Sequence, residues 1–158
     1  MSYTNADGLF IVTDEAQGAV RDNGVTASNG IKTLVFEIKD ATLLGTSDVN
    51  PQPNDAFIPA GSYITKASLV VTTAFTSGGS ATLGVGLQQA DGTIIDADGI
   101  DAAVAVADLA VNKAVVCNGA LVGGTATVGA DNSYLSLVYG TAAFTAGAAK
   151  LVIEYIEV

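Results

Sequence analysis

The sequence predicts an all-β protein, a sandwich or jelly roll with at most one short helix. Three observations lead there. Short runs of residues alternate apolar and polar with a period of two, the pattern of a half-buried strand. Words rich in Gly, Pro, Asn and Asp separate those runs. The core has to be built from Val, Leu, Ile and a few Phe and Tyr, because the chain has no Trp and much of its 49% apolar content is Ala; β-branched and aromatic side chains suit a pleated surface.

Residues 1–30 are rich in Asn, Asp and Gly, with one apolar island at Leu9, Phe10, Ile11 and Val12. They read as an irregular N-terminal arm ahead of a single β-sandwich domain over 31–158. Two accounts of the island stand: packing on the chain's own sheet, or docking on a neighbouring molecule. The first firm strand is Lys32–Lys39, where Leu34, Phe36 and Ile38 alternate with Thr33, Val35 and Glu37. A loop follows at Asn50-Pro-Gln-Pro-Asn-Asp55, since prolines this close favour extended, unpaired backbone. Ile58-Pro-Ala-Gly61 then turns the chain into a long strand over Tyr63–Ala74. Its apolar residues fall on both faces, Ile64 and Val70 on one and Leu69, Val71 and Phe75 on the other, which suits a central strand or a subunit contact.

Ala81, Leu83, Val85 and Leu87 alternate with Thr82, Gly84, Gly86 and Gln88. Two glycines on one strand face mark close approach by another group, and they make the face a candidate subunit interface. Asp91-Gly92 is a two-residue hairpin signal. Residues 100–111 are the helical candidate, because Ile100, Ala103, Val104, Ala107 and Val111 keep a 3.6-residue spacing; the alternation of Val104 and Val106 leaves a strand open. Strands return at Ala126–Val128, Tyr134–Tyr139 and Lys150–Val158, with a turn at Asp131-Asn132.

One word occurs twice. Thr72-Thr-Ala-Phe-Thr-Ser-Gly78 comes back sixty-nine positions later as Thr141-Ala-Ala-Phe-Thr-Ala-Gly147, identical at five of seven positions. Nothing in it is reactive. It reads as a structural joint, a hairpin loop in which Phe75 and Phe144 plug the end of the core while Gly78 and Gly147 make the turn.

Composition narrows the chemistry. Six basic residues against sixteen acidic ones give a net charge of −10, and the six are scattered. A polyphosphate needs clustered positive charge, so neither nucleic acid nor a membrane is an expected partner. Lone Cys117 permits no internal disulfide and reads as a buried thiol. No early apolar run is long enough for a signal peptide, so synthesis in a cytoplasm is expected. The absence of His removes the commonest general base and a common metal ligand. No phosphate-cradling glycine motif precedes a helix, and a glycosidase would want aromatic platforms that this chain lacks. No enzyme and no cofactor are expected. One weak metal candidate remains: Asp96, Asp98 and Asp101 could offer oxygens to Ca²⁺, but their spacing departs from the EF-hand loop. The preferred reading makes Asp98 the N-cap of the candidate helix, with Asp101 three residues on.

The words Ile58-Pro-Ala-Gly-Ser-Tyr-Ile-Thr65, Leu69-Val-Val-Thr-Thr-Ala-Phe-Thr-Ser-Gly78, Gly119-Ala-Leu-Val122 and Leu151-Val-Ile-Glu-Tyr155 resemble small structural proteins of tailed bacteriophages, the capsid decoration (cement) or head-fibre-like proteins. The resemblance spans residues 31–158. It implies a jelly-roll-like domain, a homotrimer, and a place on the outer capsid surface after synthesis in the host cytoplasm. The implied partner is the major capsid protein, and the implied work is bridging capsomers to stabilise the shell. In that setting Leu9, Phe10, Ile11 and Val12 become the capsid-contact candidates. The alternative the resemblance carries is a head-fibre or tail module that binds a host-surface receptor or glycan.

Overall fold

The structure, a computed structural model, describes residues 2–4, 10–12, 30–47, 51 and 55–158. Among them, β1 (Ser2–Thr4) and β2 (Phe10–Val12) form a small antiparallel ladder, with Ser2 opposite Val12. The remaining strands are β3 (Lys32–Ile38), β4 (Phe57–Ile58), β5 (Tyr63–Ser77), β6 (Thr82–Gln88), β7 (Ile94–Ala105), β8 (Ala114–Val116), β9 (Ser133–Gly140) and β10 (Phe144–Ile156). They make two four-stranded sheets, ordered β3-β10-β5-β8 and β4-β9-β6-β7.

This strand order has a simple origin. β3 pairs with β10, β4 with β9, β5 with β8 and β6 with β7, all antiparallel. The first of the eight strands therefore meets the last, the second the seventh, and so inward to the β6–β7 hairpin. A double ribbon of this kind, folded so that alternate pairs fall in opposite sheets and joined by the β10–β5 and β6–β9 contacts, is a jelly roll. The predicted all-β sandwich is the observed architecture.

The core lies between the sheets, and register fixes its rows. In the first sheet Leu34 stands opposite Ile153 and Ile153 opposite Ala67; Phe36, Leu151, Leu69 and Val115 form the next row; Ile38, Ala149 and Val71 the third. Leu83, Val85 and Leu87 supply the facing side from β6, and all three are fully buried. The β3 alternation read from the sequence holds residue by residue. The turn at Pro59–Ser62 also holds: the Ser62 N–H donates to Pro59 C=O, and Gly61 takes the φ of +73° that a side chain would resist.

Four expectations change. The candidate helix over 100–111 is the end of β7 followed by a 3-10 turn at Val106–Asp108. Its helical spacing marked no buried face: Ile100 and Val104 are buried but Ala103, Ala107 and Val111 are exposed. Between the pairs Val85–Asp101 and Leu87–Asp96, β7 carries three more residues than β6, so Ile100 and Asp101 are adjacent yet both buried. Residues 126–128 form no strand, although the Val128 N–H donates to Ser62 C=O. The two-faced pattern of β5 is likewise a bulge effect. A register shift between Lys66 and Ile64 brings Ile64 to the core side with Leu69 and Val71, and leaves Val70 exposed. The loop at Asp91-Gly92 is one residue longer than expected. Gln89 and Thr93 bracket it, with Gly92 at φ +85° and the Thr93 N–H held by Asp91 Oδ1 at 2.9 Å.

Candidate functional site

The repeated word is the clearest place to ask whether the fold builds a site, because its two copies meet. Phe144 pairs with Ser77, Ala146 with Thr76, and Ala148 with Thr73. The Phe75 and Phe144 rings contact edge to face at 5.2 Å and 84°. Thr76 Oγ1 and Thr145 Oγ1 share a hydrogen bond of 2.8 Å, and Ser77 Oγ donates to Ala143 C=O. Most of each copy is strand, Thr72–Ser77 ending β5 and Phe144–Gly147 opening β10, and the connections beside them, 78–81 and 141–143, cross between the sheets. Neither copy is a closed hairpin loop. The phenylalanines do plug the core end, at 4% and 3% exposure. The glycines part company: Gly147 has φ +148° and lies under the Phe75 ring, whereas a Cβ on Gly78 would meet nothing within 4 Å. This is a packed structural joint.

Asp96, Asp98 and Asp101 sit on β7 and its bulge. Asp98 caps no helix. Its N–H instead donates to Asp96 Oδ1 at 3.3 Å. Burial, then the neighbouring Asp98, raises the Asp96 carboxyl above its ordinary value. Asp101 points elsewhere, being buried beside Cys117. Among the described residues no group of three or more metal-ligating side chains converges. Cys117 is buried, and desolvation, followed by the charge of Asp101, pushes its thiol up to about 12. A thiol so held is a packing group and a poor nucleophile.

Phe10, Ile11 and Val12 form β2, paired to β1; Leu9 lies outside the described residues. Gly84 and Gly86 are covered by the chain itself, Gly86 by the carbonyls of Asp96 and Ala97 on β7 and Gly84 by Val138. They mark a close approach, as their placement suggested, but they cannot offer an open subunit face.

What the sequence reading missed is the outer side of the first sheet. Register puts Val35, Val152, Ser68 and Val116 in one row, and Glu37, Lys150, Val70 and Ala114 in the next. A third row sets Glu154 opposite Lys66. Val35 is 55% exposed and Val116 67%. The lysines gather on the first sheet, where Glu37 and Glu154 stand opposite Lys150 and Lys66. Among the described residues, Lys32, Lys66 and Lys150 lie on strands of the first sheet, and Lys39 and Lys113 one residue beyond its strand ends; the strands of the second sheet carry no basic residue and three aspartates on β7. The signal was present as the in-phase set Val35, Val70 and Val116, but strand pairing is needed to bring those residues together.

These features define a class, an eight-stranded jelly roll whose described residues show packed joints. The comparisons with known proteins extend it. No protein-family model matches the chain, and no curated protein matches it. Among solved structures it is similar to a chain of the capsid of Ralstonia phage GP4, with a TM-score of 0.56 and 15% identity, over 87% of this chain and 94% of that one. The likeness is one of fold.

Proposed function

We propose that this chain is a non-enzymatic structural protein of a phage virion that decorates the outer capsid surface and stabilises the shell by bridging neighbouring capsomers. The observation that carries the proposal is the shared jelly roll, which spans nearly the whole of both this chain and the phage-capsid chain. Fold alone permits many functions. Here it joins the sequence resemblance to capsid decoration proteins.

The mechanism is multivalent. A homotrimer holding several capsomers gains effective concentration at its second and third footholds, so each contact can be modest. Residues 1–30, with the β1–β2 ladder and Leu9, Phe10, Ile11 and Val12, are the proposed capsid-contacting arm, and the major capsid protein is the proposed partner. The net charge of −10 keeps such a protein soluble and repelled from nucleic acid.

The test is to mix the purified protein with expanded capsids that lack it and to image them. Regular occupancy of local symmetry positions supports decoration. Bare capsids, together with saturable binding to host cells or glycans, would replace it with the head-fibre or tail-module reading. Removal of residues 1–30 is expected to abolish occupancy without unfolding the jelly roll; a truncated protein that still decorates refutes the arm assignment.

A further inference from the structure

Residues 117–123 strap the two sheets together along one side of the sandwich. Toward the first sheet, the Cys117 N–H donates to Ala67 C=O at 3.0 Å and the Gly123 N–H to Ile64 C=O at 2.9 Å. Toward the second, the Gly119 N–H donates to Ile100 C=O at 2.8 Å and the Leu121 N–H to Gly99 C=O at 2.9 Å. The contact with β7 is close. A Cβ on residue 119 would collide with the carbonyls of Asp98 and Gly99, so the position demands glycine. Asn118 stands exposed beside it and completes an Asn-Gly dipeptide. That pair is chemically weak in a free chain, because glycine has no side chain to hinder attack of its backbone nitrogen on the Asn side-chain carbonyl carbon. The packing that requires Gly119 therefore creates a reactive bond, and the hydrogen bond to Ile100 restrains its nucleophile.

We propose that Asn118 is a site of self-deamidation, gated by release of the strap from β7, and that its isoaspartyl product keeps the strap from closing again. On release, the Gly119 nitrogen gives its proton to solvent base and attacks Cγ of Asn118. The new C–N bond closes a succinimide ring, and the side-chain nitrogen leaves as ammonia. Water then opens the ring at either carbonyl to give aspartate or isoaspartate, with no oxidant or cofactor consumed. Isoaspartate carries the chain through its side chain and so lengthens the backbone by a methylene. Cys117 and Gly119 are each pinned by their own hydrogen bond, and the segment between them cannot absorb that length without losing one. The new carboxylate also adds negative charge beside a strand that already carries Asp96, Asp98 and Asp101. Release of the strap is a local opening, and its free energy sets how far the reaction is slowed in the folded chain.

The experiment incubates the full chain at mildly alkaline pH and follows residue 118 by peptide mass spectrometry. Maleimide labelling of buried Cys117, which lies in the same strap, is a second readout of the opening. The native chain is expected to deamidate at Asn118 at least about tenfold more slowly than the urea-unfolded chain. Below the unfolding transition, added urea should raise the Asn118 rate and the Cys117 labelling rate together. Leu121→Ala removes the buried anchor of the strap and should raise both at least about tenfold. Asn118→Gln, at an exposed position, removes the site and leaves the packing intact. As isoaspartate accumulates, the wild-type Cys117 should label progressively faster, whereas that of Asn118→Gln stays protected. Asn23-Gly24 and Asn29-Gly30 carry the same dipeptide but fall in other peptides, so residue 118 is read separately. The inference is overturned by a native chain that deamidates at 118 as fast as the unfolded one, or by an unfolded chain that leaves Asn118 intact. Cys117 labelling that rises with urea while the Asn118 rate does not also overturns it, as does a modified wild type whose Cys117 labels no faster than that of Asn118→Gln.

Discussion

Replacing Gly147 by Ala tests the meeting of the two repeated arches most directly. A Cβ at this position would stand 2.5, 2.7 and 2.8 Å from Cγ, Cδ1 and Cδ2 of Phe75, where carbon–carbon contact wants about 3.5–4.0 Å. The ring would have to retreat by about 1 Å. It has little room, being buried and braced edge-on by Phe144 at 5.2 Å. Overpacking of that kind costs about 1–3 kcal/mol. The backbone adds about 1–3 kcal/mol, because an L side chain rarely adopts φ +148°. A total near 4 kcal/mol is a large share of a typical stability of about 5–15 kcal/mol, and in a chain of this length it lowers Tm by about 8–16 °C. The assay is chemical denaturation with a matched thermal melt. The control is Gly78→Ala at the equivalent place in the other copy, where a Cβ meets nothing; it should be neutral or stabilise by up to about 1 kcal/mol. In the background of Phe75→Leu, Gly147→Ala should cost about 1–3 kcal/mol less than in the wild type, since the steric part is relieved and the backbone part is not. A Gly147→Ala protein within about 1 kcal/mol of wild type would refute the packing argument.

Three further outcomes follow from the same packing and charge. Phe75→Ala and Phe144→Ala should each cost about 3–5 kcal/mol, and a double-mutant cycle by denaturant unfolding should return a coupling of about 0.5–1.5 kcal/mol for the edge-to-face pair. Cys117 should resist maleimide at pH 8 in the native state and label fully once the chain is unfolded. Because its thiol is held up at about 12 against an ordinary 9.0, the folded state keeps a proton that the unfolded chain releases, so the stability this thiol contributes is present below pH 9 and is lost as pH rises from there toward 12. Asp96 works at the acidic end: burial raises its carboxyl, so its ionisation opposes folding as pH rises through the folded value. Asp96→Asn should therefore raise Tm at neutral pH and leave it unchanged at about pH 3, where the carboxyl is already protonated in both states.

The sequence made strand existence readable and strand phase less so. β3 was legible because its ladder to β10 runs without a register shift, and a period of two survives translation into burial. β5 and β7 were not. Each contains irregular pairing, and one inserted residue turns every later side chain to the other face. Ile64 was thus assigned to the wrong side. The helical reading of 100–111 failed because a separation of four, as between buried Ile100 and Val104, fits a strand face as well as a helix face, and the residues that would have decided for a helix, Ala103, Ala107 and Val111, are exposed. Glycine gave the counter-signal. Gly84 and Gly86 announced a close approach on β6; the backbone of the β7 bulge approaches Gly86, and the Val138 side chain approaches Gly84.

The repeated word shows where local reading ends and topology begins. Each copy alone looks like a turn with a plug, and nothing within it says that the two touch. They touch because β5 pairs with β10 while β6 pairs with β9, which stacks the β5-to-β6 arch against the β9-to-β10 arch at one end of the sandwich. Once stacked, the copies cannot be equivalent. One phenylalanine must lie over the other strand, and the residue beneath it must lack a side chain. Phe75 takes the upper place and Gly147 the lower, leaving Gly78 free of that demand. The same pairing sets the outer face. It draws Val35, Val70 and Val116 from strands far apart in sequence into neighbouring rows with Lys66 and Lys150. That surface therefore exists only in the folded topology.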